Sequence, residues 1–498
     1  MTLKLAIIGG GPSAFYVASR ILSAQNVGKA ADAIRVHVYD RHWAPHGLVR
    51  YGVAPDHPEV KNCTHKFDNT AQDPRFRFFG NVNVGTSVNP ISSTSNLHLP
   101  LASLLEHYTH ILFATGCTLP KLHPSLSPSS HCIPALSVVH WYTAHPSNPP
   151  APPITSASHV SLIGNGNVSL DVARILLTPV STLAKYDVPD PVLEVLAQSK
   201  VKHVSIIGRR GPVGAAFTTK ELRELINLSN ASMVPLDKEV LSSASNTPSL
   251  TRQQSRILKV LQDGSKKRYG ETERTWSLDF FRSPTGLSSP TPISPQCTLS
   301  LAHTMLDPNN HNRAIPTGEV SALETSLVIT SLGFQGDPLT ALPSASSSAG
   351  SPTSSVLSLY DPSLGHLRTL SNRVVTPSGQ TIPNVYASGW AAVGARGVLA
   401  TTMMDAYGAA DTILEDWVDG SKGSLGDPPT NRNADLQSVP PIIQESIAGQ
   451  SSGRVVLYDQ WKKIDEAETW MGAEAGKERE RMTWSEVECF LYGKQESQ

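Results

Sequence analysis

The chain has 498 residues, of which 39% are hydrophobic and 17% charged, and its formal net charge is −1. A chain of this length forms about two to four domains with a sizeable core. The balanced charge argues against nucleic-acid binding, and the sequence contains no run of about eighteen apolar residues that would span a membrane.

The first part of the chain predicts a strand, a helix and a second strand. Apolar runs cover residues 3–8 and 34–39, and a helix-like stretch covers residues 12–24 between them. The first apolar run begins almost at Met1, without the features of a transit or signal peptide, so we expect no targeting segment within this chain.

The turn after the first strand reads GGGPSA at residues 9–14 and fits the pattern G-x-G-x-x-G/A. In this pattern Gly9 makes the tight bend, Gly11 lets the backbone approach a pyrophosphate, and Ala14 allows the helix to pack closely on the strand. Asp40 ends the second strand, where an acid accepts hydrogen bonds from ribose hydroxyls. The unit therefore predicts a dinucleotide site, and the alternative is a glycine-rich turn without a ligand.

A second unit of the same kind begins at residues 159–164. The turn GNGNVS at 164–169 repeats the glycine pattern, a helix is predicted to residue 177, and a strand follows at 201–208. That strand ends in Arg209 and Arg210 instead of an acid. Paired guanidinium groups bind a 2′-phosphate, so this half predicts NADPH, and the alternative is a solvated pair of surface arginines.

Two further apolar runs, 111–116 and 327–333, predict strands at which the chain crosses between domains. We therefore expect an α/β fold with two Rossmann-like dinucleotide-binding domains, the NADPH domain being inserted into the FAD domain. The predicted boundaries are an FAD domain at 1–117, an NADPH domain at 118–336, and a second FAD part with a C-terminal extension at 337–498. Ser/Pro-rich stretches are interpreted as surface loops, at about 119–158, 284–295, 339–358 and 421–441.

The cysteines are odd in number and widely spaced, so they predict neither a disulfide framework nor a metal site: Cys63, Cys117, Cys132, Cys297 and Cys489. The absence of Cys-x-x-Cys also removes the redox-active dithiol that many flavin disulfide reductases need. Two dinucleotide sites in one chain without that dithiol indicate hydride transfer between two cofactors.

The stretch GLVRYGVAPDHP at 47–58 resembles the signature of the adrenodoxin reductase family, the mitochondrial-type ferredoxin–NADP⁺ reductases. The similarity continues over nearly the whole chain, at GNVSLDVAR 166–174, GRRGP 208–212, FTTKELR 217–223, FFRSP 280–284, AIPTG 314–318, SGW 388–390 and GVLATTM 397–403. The Ser/Pro-rich insertions fall outside it and favour a fungal or other eukaryotic member. The resemblance implies hydride transfer from NADPH to FAD N5, then transfer of single electrons to a 2Fe–2S ferredoxin that serves iron–sulfur or haem biosynthesis or cytochrome P-450 enzymes.

The resemblance also implies site residues. The positions that match FAD-binding residues, together with those of the first glycine turn, are Gly9, Gly11, Ser13, Ala14, Asp40, Leu48, Val84, Trp390, Gly397, Val398 and Leu399. The positions that match NADP-binding residues are Asn165, Gly166, Asn167, Val168, Arg209, Arg210, Glu221 and Gly397. His57 and Glu221 match polar residues near the nicotinamide, where they position and tune the reaction. These two residues and Trp390 also have purely structural alternatives: His57 fixes a turn, Glu221 forms an ion pair on a helix surface, and Trp390 packs in the core.

The charge distribution suggests the partner. From Lys200 to Arg282 there are 15 Lys and Arg against 8 Asp and Glu, which is +7 and leaves −8 for the rest of the chain. Acidic ferredoxins are expected to dock here through a transient, salt-sensitive contact, with a face that contains Arg223, Arg252, Arg256 and Lys259. The alternative is that the last three form one solvated helix face.

Two departures from the family pattern concern the cofactor junction and docking. Ala395 and Arg396 stand where the family usually has Pro-Thr, and an insertion covers about 339–369. We expect a monomer in the mitochondrion, the compartment that the resemblance implies, and peripheral membrane contact stays open. Two alternatives keep the cofactors: a diaphorase that reduces quinones or oxygen, and a flavin-bound scaffold without turnover.

Overall fold

The computed structural model describes residues 2–24, 32–85, 96–247, 249–290, 296–338, 341–343, 356–420, 430–451 and 453–493. The predicted insertion at 339–369 therefore lies partly outside the described residues. Within them, no helix is long and apolar enough to cross a membrane. The thiols of all five cysteines are free.

The first sheet has eight strands across the described residues. Its parallel centre consists of Leu3–Ile8, flanked on one side by Ile34–Tyr39 and Phe76–Gly80 and on the other by His110–Phe113 and Thr381–Ala387. Antiparallel strands complete both edges, with Thr369–Leu370 and Arg373–Val375 at one edge and Val456–Leu457 at the other. Every residue of Leu3–Ile8 is buried, as expected for a central parallel strand covered on both faces.

The second sheet has six parallel strands in the described part of the chain. In spatial order they are Ala231–Met233, Arg274–Phe280, His203–Gly208, His159–Ile163, Leu327–Thr330 and Cys132–Pro134. The chain enters this sheet after His110–Phe113 and returns after Leu327–Thr330. The two crossing segments pair with each other as antiparallel strands, Leu119–Pro120 and Phe334–Gln335. The α/β class with two Rossmann-like sheets is confirmed.

Helices cover both sheets. Those associated with the first sheet are Pro12–Leu22, Leu48–Tyr51, Thr64–Ala71, Leu101–His107, Trp390–Val393, Leu399–Asp419, Pro441–Ile447, Tyr458–Glu474 and Trp484–Tyr492, with the 3₁₀ helix Pro58–Cys63. Those associated with the second are Ala135–Tyr142, Asn167–Leu177, Val180–Leu183, Asp190–Ala197, Thr219–Ile226, Lys238–Ser245 and Arg252–Asp263, with the 3₁₀ helix Pro212–Gly214. An antiparallel sheet of Arg282–Ser288, Cys297–Asp307 and Asn310–Thr325 lies next to the second sheet.

The loop interpretation of residues 119–158 is wrong in its middle part. Cys132–Pro134 is an edge strand of the second sheet, and the helix Ala135–Tyr142 follows it directly. Val138, Val139 and Tyr142 are buried in the core of the second domain. Ser and Pro dominate the composition of this stretch as a whole, but eight residues suffice for an apolar helix. The interpretation of 284–295 as loop is also wrong at its start, because Arg282–Ser288 is a strand, and residues 291–295 lie outside the described residues.

A C-terminal segment ties the two sheets together through buried charges. Glu468, on the helix Tyr458–Glu474, is fully buried, and its carboxylate accepts hydrogen bonds from Arg50 at 2.7 Å and Arg479 at 2.9 Å. Arg481 donates from Nε to Asp187 in the second domain at 2.7 Å. Burial alone would raise the pKa of Asp187, but Arg481 and then Lys61 hold it below its usual value. The segment therefore fixes how the two domains sit on each other.

We predict that Glu468→Gln destabilises the protein by about 3–5 kcal/mol, because it leaves the buried guanidinium of Arg50 without its counter-ion. The matched control is Asp411→Asn, which breaks the Arg20–Asp411 pair, in which both side chains are more than 40% exposed. An exposed pair contributes only about 0–1 kcal/mol. Urea unfolding of the holoprotein measures the stability of both variants. Equal unfolding midpoints would contradict the prediction that breaking the buried pair costs more stability than breaking the exposed one.

Candidate active site

A cleft opens at the carboxyl ends of the first sheet's parallel strands. Its wall includes backbone of the first glycine turn, the segments 40–42 and 114–118, and side chains from the helix Ala135–Tyr142 of the second domain. Open α/β sheets bind ligands at this edge. The cleft is lined by seven of the positions predicted for FAD, Gly9, Gly11, Ser13, Asp40, Leu48, Val84 and Trp390, and by Val168 of the NADP set.

The first glycine turn has the geometry of a pyrophosphate cradle. Gly9 has φ +102°, and a Cβ there would lie 2.5 Å from the carbonyl oxygen of Ala114. At Gly11, by contrast, a Cβ would meet nothing within 4 Å, and Gly11 caps the helix that begins at Pro12. Backbone N–H groups at this helix end attract an anion. The residues present therefore fit the phosphates of a dinucleotide.

Asp40 supports the turn from the next strand. Its carboxylate accepts hydrogen bonds from the backbone N–H of Gly10 at 2.5 Å and of His42 at 2.7 Å. Burial raises the pKa of Asp40 to about 6 against the opposing effect of these two bonds. A carboxylate has about four acceptor positions, so the side chain retains the capacity to accept from a ribose as well.

A hydroxyl and carboxylate network holds the turn that precedes Trp390. Ser13 and Ser388 share a hydrogen bond of 2.7 Å, and Asp405 accepts from Ser388 at 3.0 Å and from the backbone N–H of Gly389 at 2.5 Å. Asp405 thereby connects the long helix Leu399–Asp419 to the wall of the cleft. Sequence reasoning missed Asp405, although it lies only two residues beyond the family motif at 397–403.

Trp390 is partly buried and stacks on Phe334, with ring centroids 6.1 Å apart. Its indole Nε1 donates to the backbone carbonyl of Arg396 at 3.1 Å, which shapes the exposed turn that contains Gly397. Gly397 has φ +78°, and Val398 is 54% exposed at the start of the following helix. Gly397, Val398 and Leu399 thus lie beside Trp390 but do not line the cleft. Ala14 does not line it either, because it is buried in the helix that follows the first glycine turn.

The second glycine turn repeats the first in detail. Gly164 has φ +117°, and a Cβ there would lie 2.2 Å from the carbonyl oxygen of Ser331, whereas Gly166 has open space and caps the helix that begins at Asn167. Asn167 accepts from the backbone N–H of Thr218 at 2.8 Å. The side-chain nitrogen of Asn165 is buried without a hydrogen-bond partner among the described residues. This turn also fits a dinucleotide phosphate.

Arg209 and Arg210 follow the strand His203–Gly208, with Arg209 exposed and Arg210 partly buried. Neither guanidinium forms an ion pair with another residue in the described ranges. Both are therefore available to an anionic ligand at the carboxyl edge of the second sheet. This arrangement suits the 2′-phosphate of NADP.

His57 lies at the junction of the two domains, and its carboxylate partners are Glu224 and Glu59. His57 Nε2 is 3.0 Å from Glu224 and Nδ1 is 3.2 Å from Glu59. Burial alone would lower the pKa of His57, but the Glu224 bond raises it above the usual value, with Asp56 and Glu59 contributing in the same direction. Glu221 lies one helical turn earlier, and its Oε2 is buried without a partner among the described residues.

Sequence reasoning also missed three imidazoles that line the cleft, His42, His140 and His145. The rings of His140 and His145 stack at 3.6 Å, and burial lowers the pKa of all three histidines. Their separation along the chain concealed this cluster, whereas Glu224 could have been found from its i,i+3 spacing with Glu221. Within the described residues no group of three or more His, Cys, Asp or Glu side chains could hold a metal ion.

The predicted docking residues are all exposed. Arg252, Arg256 and Lys259 lie on one face of the helix Arg252–Asp263, which packs against the helix Thr219–Ile226 that carries Arg223. Their spacing of four and three residues is that of one helix face. The structure thus places four cations on two neighbouring helices of the second domain.

Two dinucleotide cradles in adjacent domains define an oxidoreductase with two nucleotide cofactors. The chain is 34% identical over 491 residues to the mitochondrial NADPH:adrenodoxin oxidoreductase of Salvelinus fontinalis, covering 96% of this chain and 89% of that one. It is 32% identical over 486 residues to the NADPH-ferredoxin reductase FprA of Mycobacterium tuberculosis, covering 96% of each. The solved structure of that FprA in complex with NADPH superposes with a TM-score of 0.80 at 31% identity, covering 98% of this chain and 99% of that one.

No family model matches the chain. The identity to full-length relatives nevertheless decides its membership: the protein belongs to the NADPH:adrenodoxin oxidoreductase family. The resemblance that the motifs suggested is confirmed.

We predict that Gly9→Ala and Gly11→Ala have different effects. Gly9→Ala places a Cβ against a backbone carbonyl in a strained conformation, so it lowers the free energy of unfolding by at least about 2 kcal/mol. Gly11→Ala meets no atom, so it stays within about 1 kcal/mol of the wild type but loses flavin. Urea unfolding and the ratio of flavin to protein absorbance check both, and wild-type stability in Gly9→Ala would contradict the steric argument.

Proposed function

We propose that the protein takes a hydride from NADPH onto FAD and passes single electrons to a small 2Fe–2S ferredoxin. The observation that carries this proposal is the pair of matched glycine cradles, one in each sheet, in a chain whose relatives are named adrenodoxin and ferredoxin reductases. When bound, the flavin supplies the conversion from a two-electron donor to a one-electron acceptor. The protein supplies binding, orientation and electrostatics.

The first domain holds FAD in this proposal. The helix end at Gly11 would hold the pyrophosphate, Asp40 would accept from the ribose, and Trp390 would pack against the flavin ring. The turn at 397–399 lies beside Trp390, and its backbone N–H groups would stabilise charge that develops on the flavin on reduction. The Ser13–Ser388–Asp405 network keeps Trp390 and this turn in place.

The second domain holds NADPH. The turn at 164–169 receives the pyrophosphate, and Arg209 and Arg210 bind the 2′-phosphate, which selects NADPH over NADH. His57 lies at the domain junction with its Nε2 3.0 Å from Glu224, and Glu221 lies on the same helix as Glu224. They position and tune the nicotinamide and transfer no proton in the hydride step. The boundaries 1–117, 118–336 and 337–498 describe these two units.

The exposed cations Arg223, Arg252, Arg256 and Lys259 form the docking face for the ferredoxin. The region from Lys200 to Arg282 carries +7 while the rest of the chain carries −8, so an acidic partner is directed to the second domain. Transient redox contacts are small and charge-steered, so the complex weakens as salt rises. The protein acts as a monomer in this scheme.

The mitochondrion is the proposed compartment. Several relatives are named as mitochondrial proteins, and the bacterial FprA is about equally similar, so the support comes from the former group alone. Imaging of the tagged full-length gene product with a mitochondrial marker tests this, and a cytosolic signal would overturn it.

We predict that NADPH bleaches the flavin of the anaerobic holoprotein, and that cytochrome c reduction then requires added 2Fe–2S ferredoxin. Turnover is expected to fall as ionic strength rises from about 0.1 M to about 1 M, because the Debye length shrinks from about 10 Å to about 3 Å. Bleaching with turnover that ignores ferredoxin would instead identify a diaphorase acting on quinones or oxygen. A flavin that NADPH cannot bleach would instead identify a flavin-bound scaffold without turnover.

We predict that Arg256→Glu raises the KM for ferredoxin about tenfold and reduces its salt dependence, because it reverses a charge at the centre of the docking face. Flavin bleaching by NADPH should not change, since this side chain is exposed and lines neither the cleft nor a glycine turn. Lys463→Glu, an exposed lysine of the C-terminal segment, is the matched control and should leave the KM unchanged. Equal effects of the two variants would show that only net charge matters.

A further inference from the structure

A buried arginine of the second domain contacts the first domain behind the proposed junction. Arg174 lies on the helix Asn167–Leu177, the helix that the second glycine turn begins, and only 4% of its side chain is exposed. Its Nε and Nη2 donate to the two carboxylate oxygens of Asp56 at 2.6 and 2.9 Å. Asp56 belongs to the first domain, so this bidentate pair connects the two cofactor domains.

The third nitrogen of the same guanidinium is shared between two further carboxylates. Nη1 lies 2.9 Å from Asp171 on its own helix and 3.4 Å from Glu224 on the helix Thr219–Ile226. The Glu224 oxygen that faces Arg174 is Oε2, which is also the atom 3.0 Å from His57 Nε2. Arg174 and His57 therefore approach the same carboxylate oxygen.

His57 thus lies next to two carboxylates that Arg174 contacts. Asp56 precedes it in the chain, and Glu224 faces its ring. A guanidinium is planar and rigid, so a bidentate contact fixes the orientation of its partner more strictly than an ammonium does. Movement of Arg174 would displace both carboxylates and change the setting of the imidazole.

We propose that Arg174 is a positioning residue of the electron-transfer site, which holds His57 at the domain junction by fixing Asp56, the residue before it, and Glu224, the carboxylate that faces its ring. The kinetic part of this proposal rests on the proposed function. The geometric part concerns His57 alone and is tested without turnover.

The charges around His57 determine the expected direction. The groups that interact with it are Asp56, Glu59, Asp171, Arg174, Lys220 and Glu224. Arg174 opposes protonation of the imidazole, whereas Asp56 favours it. Arg174→Gln should therefore raise the pKa of His57, and Asp56→Asn should lower it, because the freed arginine then acts on His57 without its counter-ion.

The experiment measures the pKa of His57 by NMR in holoprotein labelled with ¹³C-histidine, with His57→Gln to assign the signal. A charge within about 4–6 Å shifts a pKa by about one unit or more, so the two variants should move the titration in opposite directions by about one pH unit. Arg174→Lys keeps the charge but loses the bidentate contact, so it should stay near the wild-type pKa. In the wild type, Arg174→Gln, Arg174→Lys and Asp56→Asn, stopped-flow bleaching by NADPH is recorded against pH.

The proposal is supported if the pKa of His57 shifts in opposite directions in the two variants and the pH midpoint of flavin bleaching shifts with it. Slower bleaching in Arg174→Lys at an unchanged pKa supports positioning by geometry. If both variants lose stability while the pKa of His57 stays at its wild-type value, Arg174 is only an interface brace and the proposal is wrong. If wild-type flavin is not bleached at all, the proposed function fails, and the NMR result stands separately.

Discussion

Hydride passes directly between two cofactors only when the reacting atoms lie about 3–3.5 Å apart, so the two nucleotide domains must be held in one orientation. Buried ion pairs provide this constraint. Arg174 connects the domains near His57, and Asp187 binds Arg481 from the C-terminal segment and Lys61 from the first domain. Breaking a buried pair leaves an uncompensated charge, so these contacts specify orientation more strictly than apolar packing would.

The two cradles show how little side-chain chemistry a phosphate site needs. In both turns the first glycine lies against a carbonyl at the end of a neighbouring strand, and the second glycine leaves open space at a helix N-terminus. A helix N-terminus of this kind offers backbone N–H groups to an anion. The two domains differ in the residues that follow the next strand, Asp40 in one and Arg209 and Arg210 in the other.

The chain order of the elements and the two cradles were predictable because each is local in sequence. The strands Leu3–Ile8 and Ile34–Tyr39 and the helix Asn167–Leu177 have the predicted bounds. The segment 132–142 was misjudged because composition averaged over forty residues conceals a short buried helix. Asp405 and the three cleft histidines escaped notice for another reason: no motif links them to the residues they contact.

The sequence by itself determined the fold class, the two dinucleotide cradles and the family, because glycine turns and strand periodicity are properties of contiguous residues. Only the tertiary structure decided which polar groups meet. His57 contacts Glu224, 167 positions later in the chain, and Asp405 reaches back to the serine network that begins at Ser13. Such partners are chosen by the packing of domains, since an ion pair depends on distance in space and leaves no periodic pattern along the chain.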